Sequence, residues 1–100
     1  MPKLEIKIPH NLTTTEALTR IKQFLPELVA QHSDKISNLE ESWSANTGKF
    51  KFKISGFKII GSVSVVDTHV LINGVIPGLA VPFKSTIEMT IRQQAVELLK

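Results

Sequence analysis

The sequence predicts an α+β domain of order β-α-β-β-β-β-α, with two amphipathic helices covering one face of a five-stranded, mainly antiparallel sheet. Three observations carry that expectation. Lys49-Phe50-Lys51-Phe52-Lys53-Ile54 alternates charged and apolar residues without a break, the period of a strand with one face buried. Apolar parity agrees across three successive strands if Ser55-Gly56 and Asp67-Thr68 are two-residue turns. Helical periodicity is confined to one stretch before this block and one after it.

Each element follows from its residues. Lys3 to Ile8 places Leu4, Ile6 and Ile8 on one face and Lys3, Glu5 and Lys7 on the other, a half-buried strand closed by Pro9. Thr13 and Glu16 have capping-box spacing, so a helix begins there. Leu18, Ile21, Leu25, Leu28 and Val29 line its buried face as far as about His32. Pro26 has no N–H for the Lys22 carbonyl, which predicts a kink or two short helices. Leu39 to Ser44 reads as a strand with Leu39 and Trp43 inward, and Ala45-Asn46-Thr47-Gly48 as its turn. Glu41 shares the inward phase, the mark of an edge strand or a bulge. In the hairpins that follow, Ile54 faces Phe57, Phe52 faces Ile59 and Phe50 faces Gly61. Val65 then faces Val70, Val63 faces Ile72 and Gly61 faces Gly74, with Phe50 filling the gap above the glycine pair. Pro77-Gly78 ends the last strand. Pro82 suits a first helical turn, and Ser85 with Glu88 offers a second capping box. Phe83, Ile87, Ile91, Ala95 and Leu98 form the expected buried stripe, with Glu88 and Arg92 paired outside it. The first strand is expected to return beside the last.

Composition bounds the function. One hundred residues, 42% of them hydrophobic, make one soluble domain over residues 1–100. No run approaches the ~18 apolar residues of a membrane span, and the opening residues lack a signal-peptide core, so a cytoplasmic protein is expected. The absence of cysteine removes disulfides, thiolate nucleophiles and sulfur-ligated metals. His10, His32 and His69 have no second ligand at metal-binding spacing, so no metal site is expected. His10 is expected to orient its loop by bonding backbone. Glu40 and Glu41 point to opposite strand faces and cannot work as an acid–base pair. Neither a nucleophile elbow nor a phosphate-cradling glycine loop occurs. No catalytic residue, cofactor or enzymatic activity is expected.

What remains is a surface. The uncovered phase carries Lys3, Glu5, Lys7, Lys49, Lys51, Lys53 and Lys58, a local +5 that exceeds the +3 of the whole chain. Lysines there could simply blunt exposed strands, or the face could meet an anionic or amphiphilic partner. Ile60, Leu71 and Val75 interleave with Lys49, Lys51, Lys53 and Lys58, and these seven are the candidate contact residues. Leu79, in the apolar Val75-Ile76-Pro77-Gly78-Leu79-Ala80 stretch, is a candidate loop contact. Such a patch suits a homodimer or an amphiphilic docking surface. A second reading is a small apolar-ligand binder, with a pocket between helices and sheet near Gly61 and Gly74. A third is sequence-nonspecific nucleic-acid binding, against which stand the face's lack of arginine and of exposed aromatics.

The opening strand followed by Pro9-His10-Asn11-Leu12 and Thr15-Glu16-Ala17 resembles the small bacterial polyhydroxyalkanoic acid system proteins. The resemblance continues through Trp43, Phe50 and Phe52, the Gly56 and Gly61 region and the closing Pro82-Phe83-Lys84. It implies a non-enzymatic cytoplasmic protein linked to polyhydroxyalkanoate storage, with a storage granule or granule protein as partner. It supplies no catalytic residues to carry over. The element order is also similar to the TATA-binding-protein-like fold and, more distantly, to helix-grip domains that hold apolar ligands between helix and sheet.

Overall fold

The computed structural model describes residues 2–100. Its strands are β1 (Lys3–Pro9), β2 (Ile36–Ser44), β3 (Thr47–Ile54), β4 (Phe57–Val65) and β5 (His69–Val75). Its helices are α1 (Thr14–Ile21), α2 (Phe24–Gln31) and α3 (Lys84–Leu99), the last entered through a 3-10 turn over Gly78–Phe83. The strands form one antiparallel sheet in the order β1-β5-β4-β3-β2, so the first strand does return beside the last.

The two central hairpins keep the expected register throughout: Phe52 faces Ile59, Phe50 faces Gly61, Val63 faces Ile72 and Gly61 faces Gly74. Ser55 at φ 50° and Gly56 at φ 86° turn the β3–β4 hairpin in the doubly left-handed conformation whose twist matches the flanking strands. The buried face carries Leu4, Ile6, Ile8, Phe50, Phe52, Ile59, Val63, Val65, Val70 and Ile72, and the three α-helices cover it.

The edge strand β2 departs from the expected boundaries. Its turn is only Ala45-Asn46, with Ala45 at φ 52°, and Thr47 and Gly48 already belong to β3. Gly48 lies opposite Trp43, and a Cβ there would sit 2.6 Å from the indole, so the ring lies against a bare backbone. β2 also starts earlier, at Ile36, because a bulge lets it change phase. Ser37 pairs with Lys53 but Glu40 with Lys51, so Asn38 and Leu39 share the space opposite Phe52. Asn38 takes φ 57°, a left-handed conformation that asparagine tolerates well. The extra residue brings both Ile36 and the Leu39–Trp43 phase onto the covered face.

Glu41 shares that phase, opposite Phe50. Burial raises its carboxyl above the usual range, and its neighbour Trp43 pulls the other way. The indole Nε1 makes no well-formed hydrogen bond among the described residues, and burial outweighs its pull on the carboxyl. The folded chain therefore holds this proton more tightly than the unfolded one. Its contribution to stability is complete below the ordinary value of 4.5 and is lost as pH rises through the raised one.

Thr13 caps α1 as expected: its Oγ1 accepts from the Glu16 N–H at 3.1 Å and also lies 3.1 Å from the Glu16 carboxylate. The helical stretch divides at Lys22-Gln23, giving two helices rather than one. Pro26 is the third residue of α2, where an N–H would lack an intrahelical acceptor in any case. At α3 the expected capping box does not form. Phe83 occupies the cap position without a side-chain bond, and Ser85 is already inside the helix. Pro82 sits in the 3-10 turn, not in a first α-turn. That tighter turn carries Phe83 off the buried stripe, leaving it 53% exposed, and the stripe consists of Ile87, Ile91, Ala95 and Leu99 with Leu98 half-buried. Glu88 and Arg92 do not form an ion pair; Arg92 Nη1 lies 3.4 Å from the Lys7 carbonyl at the free edge of β1.

His10 is buried where the β1–α1 loop meets the β4–β5 turn. Its Nε2 donates to the Val66 carbonyl at 2.9 Å, and its Nδ1 accepts from the Leu12 N–H at 3.1 Å. The imidazole thus joins two loops through backbone groups, as expected. Replacing it with alanine (His10→Ala) should cost about 1–3 kcal/mol in denaturant unfolding, since two backbone groups lose their partner. A loss below ~0.5 kcal/mol would show that water replaces the ring at no penalty.

Candidate functional site: the open sheet face

The register arranges the uncovered face in rows across the strands. One row runs Glu40, Lys51, Ile60, Val75, Lys3; the next runs Ser42, Lys49, Ser62, Asn73, Glu5; a third runs Ser44, Thr47, Ser64, Leu71, Lys7. Lys53 and Lys58 face each other at the hairpin end, a like-charge pair that costs ~0.2–1 kcal/mol. The lysines singled out from sequence therefore do share one face.

Two corrections follow from the same rows. Glu40 joins the face from β2 and pairs with Lys51 at 3.1 Å, so six lysines stand against two glutamates and the local charge is +4, not +5. The aliphatic residues do not form one patch. Ile60 and Val75 are direct neighbours, with Ile60 48% exposed, but the polar row of Lys49, Ser62, Asn73 and Glu5 separates them from Leu71. Leu71 belongs instead with Val66 and Pro9 at the far end of the sheet.

The glycine pair does not open a pocket toward the helices. A Cβ on Gly61 would lie 2.7 Å from Phe50 Cζ, and one on Gly74 would touch Leu4 Cδ1 at 3.7 Å, so neighbouring side chains already fill that space. A shallow basin of about 550 Å³ lies there, walled by Lys3, Glu5, Lys49, Ile60, Ser62, Asn73 and Val75 of the open face. The gap between helices and sheet lies at the other end, a cavity of about 320 Å³ beside the β3–β4 hairpin.

Leu79, the candidate loop contact, is 82% exposed, and Val81, Phe83 and Met89 are exposed with it. Of these, only Phe83 was expected inside, and the 3-10 turn, with its three-residue period, carries it out of the buried stripe. Among the described residues no cluster of histidine and carboxylate groups could hold a metal ion. No helix among them is long and apolar enough to cross a membrane.

The fold is similar to that in the crystal structure of TTHA0849 from Thermus thermophilus. The match covers 98% of this chain and 92% of that one, with a TM-score of 0.59 and 12% identity, a likeness of fold alone. No curated protein matches the sequence. A family model described as "Putative polyhydroxyalkanoic acid system protein" matches residues 4–99, the strands, helices and open face described above, and the chain belongs to that family.

Proposed function

We propose that the protein is a non-enzymatic cytoplasmic accessory of polyhydroxyalkanoate storage that rests on the polyester surface through its open sheet face. The observation that supports this most directly is the Ile60–Val75 pair, Ile60 exposed and Val75 half-buried, among Lys3, Lys49 and Lys51 in a family linked by name to that polymer. A polyester presents aliphatic carbon and ester carbonyls, which accept hydrogen bonds and donate none. Lysine suits such a surface on both counts: its stem covers apolar carbon and its ammonium group only donates. Leu79 adds an exposed apolar contact from the loop.

The test is co-sedimentation with polyhydroxyalkanoate particles at low and high salt. Pelleting should survive salt, because aliphatic contact is not screened. The double variant Ile60→Ser, Val75→Ser should weaken binding at least tenfold, since burying even one such side chain contributes about 1.5 kcal/mol or more. Pelleting that is unchanged in this variant would overturn the assignment of the face.

A further inference from the structure

The cavity beside the β3–β4 hairpin has a construction of its own. It lies where the C-terminal end of α2, the first turns of α3 and the hairpin tip converge, on the covered side of the sheet and away from the lysine rows. Ile54, Phe57, Phe83 and Ile87 make its apolar wall, and the Phe57 and Phe83 rings stand 6.1 Å apart. Ile54 and Phe57 stay half-buried and Phe83 exposed, so three large apolar side chains meet here without being fully covered.

The polar part of the lining is one-sided. His32, Lys35, Ser55, Thr86 and Thr90 contribute, and no carboxylate does. Lys35 has no acidic partner within 4.0 Å among the described residues. The Ser55 N–H donates to the Lys35 carbonyl at 2.8 Å, which ties the α2–β2 turn bearing that lysine to the hairpin tip. Thr90 turns its hydroxyl back to the Thr86 carbonyl at 2.9 Å, leaving its methyl group for apolar contact. An apolar wall with one cation and one imidazole beside it complements a ligand with an alkyl chain and a single negative charge. The volume sets its size. At water's share of about 30 Å³ for each group, the space holds roughly ten non-hydrogen atoms, at the small end of ligand sites.

We propose that this cavity binds a medium-chain monocarboxylic acid, with the alkyl chain between Phe57, Phe83 and Ile87 and the carboxylate at Lys35 and His32. Octanoate, an eight-carbon acid, has the size required. Its 3-hydroxy derivative is the kind of unit from which a medium-chain polyhydroxyalkanoate is built, so on the polyester reading the site senses free monomer while the opposite face meets polymer. The site itself does not depend on the polyester-surface reading.

Calorimetric titration of the intact protein with sodium octanoate, sodium 3-hydroxyoctanoate, octan-1-ol and octylamine tests this. One equivalent of each acid should bind, the alcohol at least tenfold more weakly, and the amine not at all. Lys35→Glu should weaken octanoate at least tenfold, and Thr86→Trp, which places an indole across the mouth from an exposed position, should abolish it. Both variants should keep the wild-type thermal unfolding midpoint without ligand and still pellet with polyester particles, which separates this site from the open face. Equal binding of acid, alcohol and amine would overturn the carboxylate assignment. Absence of acid binding, or binding untouched by both variants, would overturn the site.

Discussion

Replacing Gly61 with alanine (Gly61→Ala) should destabilise the fold by about 3 kcal/mol or more, the upper end of what overpacking costs. The added methyl would run into the Asn73 carbonyl oxygen and sit 2.7 Å from Phe50 Cζ. The phenyl ring could rotate aside, but the carbonyl belongs to β5, which is paired on both sides and cannot give. In a chain of this length the melting midpoint should fall on the order of 12–24 °C. The partner glycine supplies the control. A Cβ on Gly74 meets nothing nearer than 3.6 Å, so Gly74→Ala should change stability by about 1 kcal/mol or less. Thermal unfolding of the two variants side by side is the measurement. Equal effects at the two positions would refute the asymmetry.

Truncating Phe52 to alanine (Phe52→Ala) should cost about 3–5 kcal/mol, the loss typical of a large aromatic removed from a packed interior. Phe52 is 2% exposed, faces Ile59 across β3 and β4, and stacks on Phe50 at 5.8 Å between ring centroids. The bulged strand on its other side sets Asn38 and Leu39 opposite it, so β2 loses register support as well. Set against a total stability of about 5–15 kcal/mol, the variant should sit near its unfolding midpoint in mild denaturant. Phe52→Leu, which keeps most of the volume, should lose less than about 1.5 kcal/mol. A small loss from Phe52→Ala would mean that the sheet collapses onto the vacancy more readily than its paired backbone allows.

The central sheet was legible because period-two alternation and two-residue turns constrain each other. Once Ser55-Gly56 is a turn, the parity of Phe50, Phe52, Ile59 and Val63 leaves one register, and the structure has it. The edge was harder. A bulge at Asn38 inserts one residue, and an inserted residue erases the periodic signal it depends on. Glycine marks turns, so Gly48 reads as part of one, whereas here it makes room for an indole across the strand. The entry to α3 was obscured by the 3-10 turn, whose period differs from that of the helix it precedes. For the candidate site, alternation alone placed the lysines on one face. The separation of Leu71 from Ile60 needed the rows between them, and Glu40 needed the position of β2. The hairpin-end cavity had no sequence signal, since it is formed by three segment ends that share no pattern.

Strand order also dictates when the molecule can be completed during synthesis. Lys3 pairs with Val75 and Pro9 with His69, so β1, which precedes the other four strands in the chain, has no partner until β5 has emerged. The four strands from β2 to β5 are joined in sequence by tight turns and can zip as successive hairpins, each within about 1–10 μs. Closure of β1 onto β5 spans most of the chain and must wait. Until it occurs, Val70 and Ile72 lie on an unguarded strand edge of the kind that recruits other nascent chains.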